Sequence, residues 1–197
     1  MSVRAWLAVG EIEDGTVEAA LLAAGRAGDP AALEKLLSRH QQALYRLCCG
    51  VLGHPEEAED AVQETFLRAL RALPAFRGDA AFRTWLFRIA LNLCLRWKAS
   101  RPANESWSEE NGLLPSIPDA APSPEAIALR HLRVREALSR LLPRQRAVLL
   151  LKEREGWSVA EIGRALAWTP NRVEYELNKA RRTLIEWRRE SGEGDGP

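Results

Sequence analysis

The chain of 197 residues has little of the chemistry that marks an enzyme or a secreted protein. Its three cysteines, Cys48, Cys49 and Cys94, form no CxxC pair, and only His40, His54 and His131 are available to complete a metal site. Adjacent thiols in an apolar helical stretch read as buried, reduced cysteines rather than as metal ligands or disulfide partners. There is no Ser/His/Asp set, phosphate loop or metal-spaced cluster, so neither catalysis nor a cofactor is expected. No apolar run approaches the roughly 18 to 20 residues of a membrane span. The N-terminus, MSVRAWLAVGEIEDGT, passes from a short apolar run straight into acids and lacks the layout of a signal peptide. A cytoplasmic protein with no membrane insertion of its own is expected.

Alternating β patterns are also missing, which leaves an all-α class. With 46% hydrophobic and 28% charged residues, the chain can bury one or two small cores. The formal net charge of +1 conceals an uneven distribution. Residues 103–125 carry Glu105, Glu109, Glu110, Asp119 and Glu125 with no Lys or Arg, whereas 126–190 hold roughly twice as many basic as acidic residues. This asymmetry fits a nucleic-acid-binding module joined to an acidic linker.

Helix signals divide the chain. Asp29-Pro30 is a cap followed by a first-turn proline, and the apolar pattern behind it runs to about Gly53. Pro55 opens a second helix that ends near Pro74, and a third is expected from about Asp79. The Pro-, Ser- and acid-rich stretch Ala99–Pro124 reads as a flexible linker. Beyond it, Ser123-Pro124 starts a second domain in which Pro143 restarts a helix and Gly156 ends it. Ser158 to Glu161 form a capping box, and Thr169-Pro170 caps a last helix. The pair from Ser158 to about Ala167 and from Pro170 onward has the length and order of a helix-turn-helix, surrounded by Arg144, Arg146, Arg164, Arg172, Lys179, Arg181 and Arg182. The expected organisation is an N-terminal extension and the start of the first helix over 1–27, a first helical domain over 28–98, a linker over 99–124, a second domain over 125–190 and a disordered tail over 191–197.

The densest functional signal is FRGDAAFRTWLFRIALNLCLRWK, Phe76 to Lys98, where aromatic and basic residues interleave. Phe82, Trp85, Ile89, Leu93 and Trp97 recur at helical spacing and fit a core stripe. Phe76, Arg77, Arg83, Thr84, Arg88, Asn92 and Arg96 lie outside the stripe, and such a mixture suits stacking on bases while holding phosphates.

These parts, in their order, resemble an extracytoplasmic-function (ECF) sigma factor of bacteria. The resemblance covers about residues 28–188 and rests on Glu59-Asp60-Ala61-Val62-Gln63-Glu64-Thr65-Phe66, FRGDAAFRTWLFRIALN and LPRQRAVLLLKEREGWSVAEIGRAL. It implies a dissociable subunit of core RNA polymerase. Region 2 would open the −10 promoter element, region 4 would read the −35 element, and the acidic linker would thread a basic polymerase channel. Asp60, Gln63 and Glu64 match the helix that docks on the β′ clamp, with further contact to the β subunit. They are expected on the face opposite Ala61, Val62, Phe66 and Leu70. Phe76, Arg77 and Gly78 match the loop that captures a flipped base, beside Arg83, Thr84, Trp85, Arg88 and Asn92. Asn92 suits a base edge because its amide both donates and accepts. An anti-sigma factor is a further implied partner.

The last helix departs from the family. Asn171, Arg172, Asn178, Lys179 and Arg182 suit DNA, but Glu174 and Glu176 are expected to project carboxylates where phosphates or base edges should lie. An acid can accept from cytosine N4, yet two beside phosphates weaken nonspecific attraction. An unusual −35 sequence, weak −35 dependence and a face devoted to a protein partner all remain open. So do two other readings of the whole chain, a regulator acting without polymerase and an interaction module that reads promoters poorly. Trp157 and Trp168 are expected to be packing residues.

Energetics imply dependence on polymerase. A stacked base returns about 1–3 kcal/mol, whereas opening roughly ten base pairs loses about 1.4 kcal/mol per step. The free protein should open promoters poorly.

Overall fold

A computed structural model describes residues 15–100 and 124–191, and among these all regular structure is helical. Residues 1–14 of the expected extension, 101–123 of the expected linker and 192–197 of the expected tail lie outside the described residues. The first unit comprises α1 (Gly15–Arg26), α2 (Pro30–Leu52), α3 (Pro55–Ala72), a 3₁₀ turn (Leu73–Ala75) and α4 (Phe82–Ala99). The second comprises α5 (Pro124–Ser139), α6 (Pro143–Glu153), α7 (Val159–Leu166) and α8 (Pro170–Glu190).

Local chemistry sets most boundaries. The Asp29 carboxylate accepts from the Ala31 and Ala32 amides at 2.9 and 3.2 Å, satisfying donors at the start of α2. Gly53 ends that helix at φ 85°, left-handed backbone that favours glycine. Gly78, at φ 81°, delays the third long helix, which begins at Phe82 rather than near Asp79. In the second unit Ser158 and Glu161 form the reciprocal box, and the Thr169 hydroxyl accepts from the Arg172 amide at 3.3 Å.

Helix α2 is the hub of the first unit, packed on α1, α3 and α4. Leu36, Leu44, Leu47, Val51, Leu86, Phe87, Leu91 and Leu93 fill the core between them, and Cys48, Cys49 and Cys94 are buried within it. Burying a side chain of this size contributes about 1.5–3 kcal/mol.

The two units are not separate bodies. Helix α6 lies against α2, and α7 lies against α4, so one hydrophobic core runs through both. Gly50 permits the approach, since a Cβ there would meet Leu150 Cδ1 at 2.4 Å. Arg146 is 6% exposed, and its Nη1 donates to the Val51 carbonyl at 3.1 Å while Nε donates to Leu141 at 3.0 Å. A cation from the second unit thereby satisfies a carbonyl in the last turn of α2. Arg146 therefore leaves the set of basic residues available to DNA. Burial lowers its pKa to about 10, and it stays charged near neutral pH.

Candidate polymerase and nucleic-acid interface

Helix α3 presents its first candidate group as anticipated. Asp60 and Gln63 are exposed and Glu64 is half-buried, opposite buried Ala61 and Val62. Glu64 Oε1 accepts from Arg68 Nε at 2.6 Å, one turn further on. Phe66 is half-buried, but Leu70 is not in the core: it is 41% exposed, and Leu67 is 48% exposed. Spacings of four and three residues place Leu67 beside Gln63 and Glu64, two turns beyond Asp60. This exposed apolar group at the end of the polar face was missed in the sequence, although the spacing from Asp60 to Gln63 to Leu67 carries it.

The candidate loop and α4 divide into an engaged part and a free edge. Phe76 is only 6% exposed and packs on Phe82 and Trp85, with ring centroids 5.9 and 4.9 Å away. Trp85 is half-buried against Phe82 at 5.6 Å. Arg77 and Gly78 are exposed in the loop ahead of them. Along α4, Arg88, Asn92 and Arg96 are exposed at four-residue intervals, while Leu86, Phe87, Ala90, Leu91 and Cys94 are buried. That ridge offers two guanidiniums flanking one amide, a pattern suited to phosphates on either side of a base. Thr84 is half-buried, and Arg83 turns toward the second unit, where it pairs with Glu155.

Behind this region α1 is tied to α2. Glu18 Oε2 lies 3.0 Å from His40 Nε2, and His40 packs on the Phe82 ring at 5.7 Å. Hydrogen bonding to His40, with help from the charges of Arg39 and Arg83, holds the Glu18 carboxyl below the usual range against the opposing effect of burial.

Helix α8 presents Asn171, Arg172, Glu174, Asn178, Lys179 and Arg182 to solvent. Glu176 is corrected: at 8% exposure it belongs to the buried side with Val173, Leu177 and Ala180, because it falls three residues after Val173 and four before Ala180. One acid, Glu174, remains on the candidate DNA face. Tyr175, 57% exposed, is a further member that sequence reasoning passed over. Trp157 is buried against Phe87, with centroids 5.8 Å apart, and half-buried Trp168 carries the Arg172 guanidinium 4.3 Å above its ring. In the helix before it, Ser158 hydrogen bonds hold the Glu161 carboxyl below its usual range.

Among the described residues no helix is long and apolar enough to cross a membrane, and no group of three His, Cys, Asp or Glu side chains is arranged to hold a metal ion.

The family model described as Sigma-70 region 2 matches residues 36–102, and that described as Sigma-70, region 4 matches residues 131–184. The chain is 35% identical over 167 residues to the ECF RNA polymerase sigma factor SigM of Mycobacterium tuberculosis, covering 85% of this chain and 82% of the relative. It is 31% identical to the RNA polymerase sigma-H factor of Pseudomonas aeruginosa, covering 80% and 86% respectively. Among solved structures, CnrH in complex with the cytosolic domain of CnrY superposes with a TM-score of 0.65 at 27% identity, covering 87% of this chain and 96% of CnrH. The sigma factor RpoE of Bartonella quintana, solved with the anti-sigma factor NepR, shares the fold with a TM-score of 0.62 at 20% identity, covering 78% and 94%.

Proposed function

Since this chain belongs to the ECF sigma factors of the sigma-70 family and directs promoter-specific transcription initiation, we propose a division of labour among three of its surfaces. Asp60, Gln63 and Glu64, with Leu67 one turn beyond the last two, dock on the β′ clamp of core RNA polymerase, and the β subunit supplies further contacts. Phe76, Arg77, Gly78, Arg83, Thr84, Trp85, Arg88 and Asn92 form the −10 reader. Asn171, Arg172, Glu174, Asn178, Lys179 and Arg182 form the −35 reader. The region 2 domain spans 28–98 and the region 4 domain 125–190. The protein acts in the cytoplasm and without catalysis of its own.

The observation that supports this most is the exposed ridge of Arg88, Asn92 and Arg96 on a helix that buries Leu86, Phe87, Ala90, Leu91 and Cys94. Arg88 and Arg96 neutralise phosphates while Asn92 meets an unpaired base. Phe76 and Trp85 contribute in a different way from Asn92, as the packed wall that fixes the loop holding Arg77 and Gly78. On α8, Arg172 is pre-positioned by Trp168, and Glu174 accepts from a cytosine amino group, giving the −35 preference an unusual base. An anti-sigma factor is a further partner of this chain, and CnrH is likewise solved in complex with another protein, the cytosolic domain of CnrY.

In vitro transcription with core bacterial RNA polymerase on a pooled random-promoter library tests this division. Defined start sites sharing two sequence elements are expected, and Asn92→Ala should reduce their yield at least about tenfold, the loss of one good base contact. Polymerase binding without defined start sites would contradict it.

A further inference from the structure

Arg83 is the one residue of the −10 set whose guanidinium is held by the other unit. Its Nη2 pairs with Glu155 Oε2, and its guanidinium carbon lies 5.1 Å from the Phe87 ring centroid. The Glu155 side chain is only 4% exposed, and its second oxygen, Oε1, lies 3.8 Å from Arg154 Nε. Glu155 sits in the turn between α6 and α7, fixed by its amide donating to the Leu150 carbonyl at 3.1 Å and followed by Gly156 at φ 72°. Next in the chain, Trp157 packs on the same Phe87 ring. A carboxylate this deeply placed is stabilised only if cations face it. One of its two cations comes from across the interface, so that pair exists only while the units are closed.

We propose that Glu155 is a phosphate surrogate that occupies Arg83 in the free protein and yields it to promoter DNA when the two units part. A guanidinium presents one planar fork that takes a carboxylate or a phosphate in the same geometry, so the two ligands are alternatives. Glu18 on α1 and Glu161 on α7 also interact electrostatically with Arg83, so in the closed form it lies in an acidic surrounding that lowers its attraction for DNA. The Arg146–Val51 bond and the Leu150–Gly50 contact hold the same interface shut. The −10 reader is thereby disabled at one phosphate contact while its Arg88–Asn92–Arg96 ridge stays exposed. The inference rests on the reading of Arg83 as a DNA contact, and the experiment separates the two.

The full chain, free of polymerase, carries spin labels on cysteines introduced at exposed Glu56 and Arg188, and the distance distribution is measured by pulsed electron resonance. In parallel, anisotropy of a fluorescent random-sequence 20-mer of single-stranded DNA gives affinity. Glu155→Gln should lengthen the mean distance and tighten DNA binding about five- to tenfold, because apparent affinity scales with the open fraction. Adding Arg83→Ala should abolish the gain in affinity but not the opening. The swap Arg83→Glu with Glu155→Arg should restore the closed distance, which shows that the variants fold. Unchanged distance and affinity in Glu155→Gln would overturn the latch. Opening with no gain in affinity, or a gain that survives Arg83→Ala, would overturn the assignment of Arg83 to DNA and with it the surrogate role.

Discussion

On α8 all six candidate −35 residues face solvent, whereas the −10 candidates around α4 are split. Arg77, Gly78, Arg88 and Asn92 are exposed, Phe76 is buried, and Arg83 is held by Glu155. The contrast follows from what each surface has to do. A duplex reader needs only a rigid helix with a polar outer face, and Val173, Leu177 and Ala180 supply its inner anchor. A reader of unpaired bases needs aromatic rings, and Phe76 and Trp85 pack on one another and on Phe82. Those ring contacts lie within the first unit, whereas Arg83 meets the second through an ion pair.

The largest effect should come from breaking the aromatic wall. Phe76→Ala should cost about 3–5 kcal/mol of stability, measured by denaturant unfolding, as expected for a buried ring in contact with two others. Arg77→Ala, one residue on and exposed, should change stability by less than about 0.5 kcal/mol. Equal costs at the two positions would erase the difference between engaged and free parts of the −10 region.

An intermediate effect tests the exposed apolar side chain of α3. Leu67→Asp should weaken association with core polymerase about tenfold or more while leaving helical content unchanged, because the side chain is half exposed before binding. Biolayer interferometry against core enzyme, with Ala72→Asp as an exposed control on the same helix, reads this directly.

The smallest concerns the tie behind the −10 face. Glu18→Gln should cost no more than about 1 kcal/mol at neutral pH. The Glu18 carboxyl is held below its ordinary value of 4.5, so its contribution is complete above that value and is lost as pH falls through the lowered one. Wild type and variant should therefore converge in acid, and a gap that persists there would mean the charge is not what matters.

Sequence patterns revealed the parts that depend on neighbours along the chain. The caps at Asp29, Ser158 and Thr169, the proline starts and the helix-turn-helix are local chemistry, and each lies where its residues indicate. The exposed ridge on α4 was legible for the same reason, since positions 88, 92 and 96 fall outside the apolar stripe. Glu176 was legible too: Val173, Leu177 and Ala180 mark a buried side on which it lies, but its charge outweighed its position. Burial of Arg146 and capture of Arg83 were not legible, because they depend on partners 95 and 72 residues away along the chain. Nothing in the local pattern around Arg83 distinguishes a guanidinium aimed at DNA from one aimed at a carboxylate of a distant turn.

If α4 and α8 are the two promoter readers, a crosslinking map of the open complex will place each on its own element. A photo-crosslinking amino acid replaces Arg88 in one variant and Tyr175 in another, each assembled with core polymerase on a promoter selected from the library. Crosslinks are expected from position 88 to the non-template strand of the −10 element and from position 175 to the −35 duplex. Crosslinks from either position to the other element, or to polymerase alone, would contradict it.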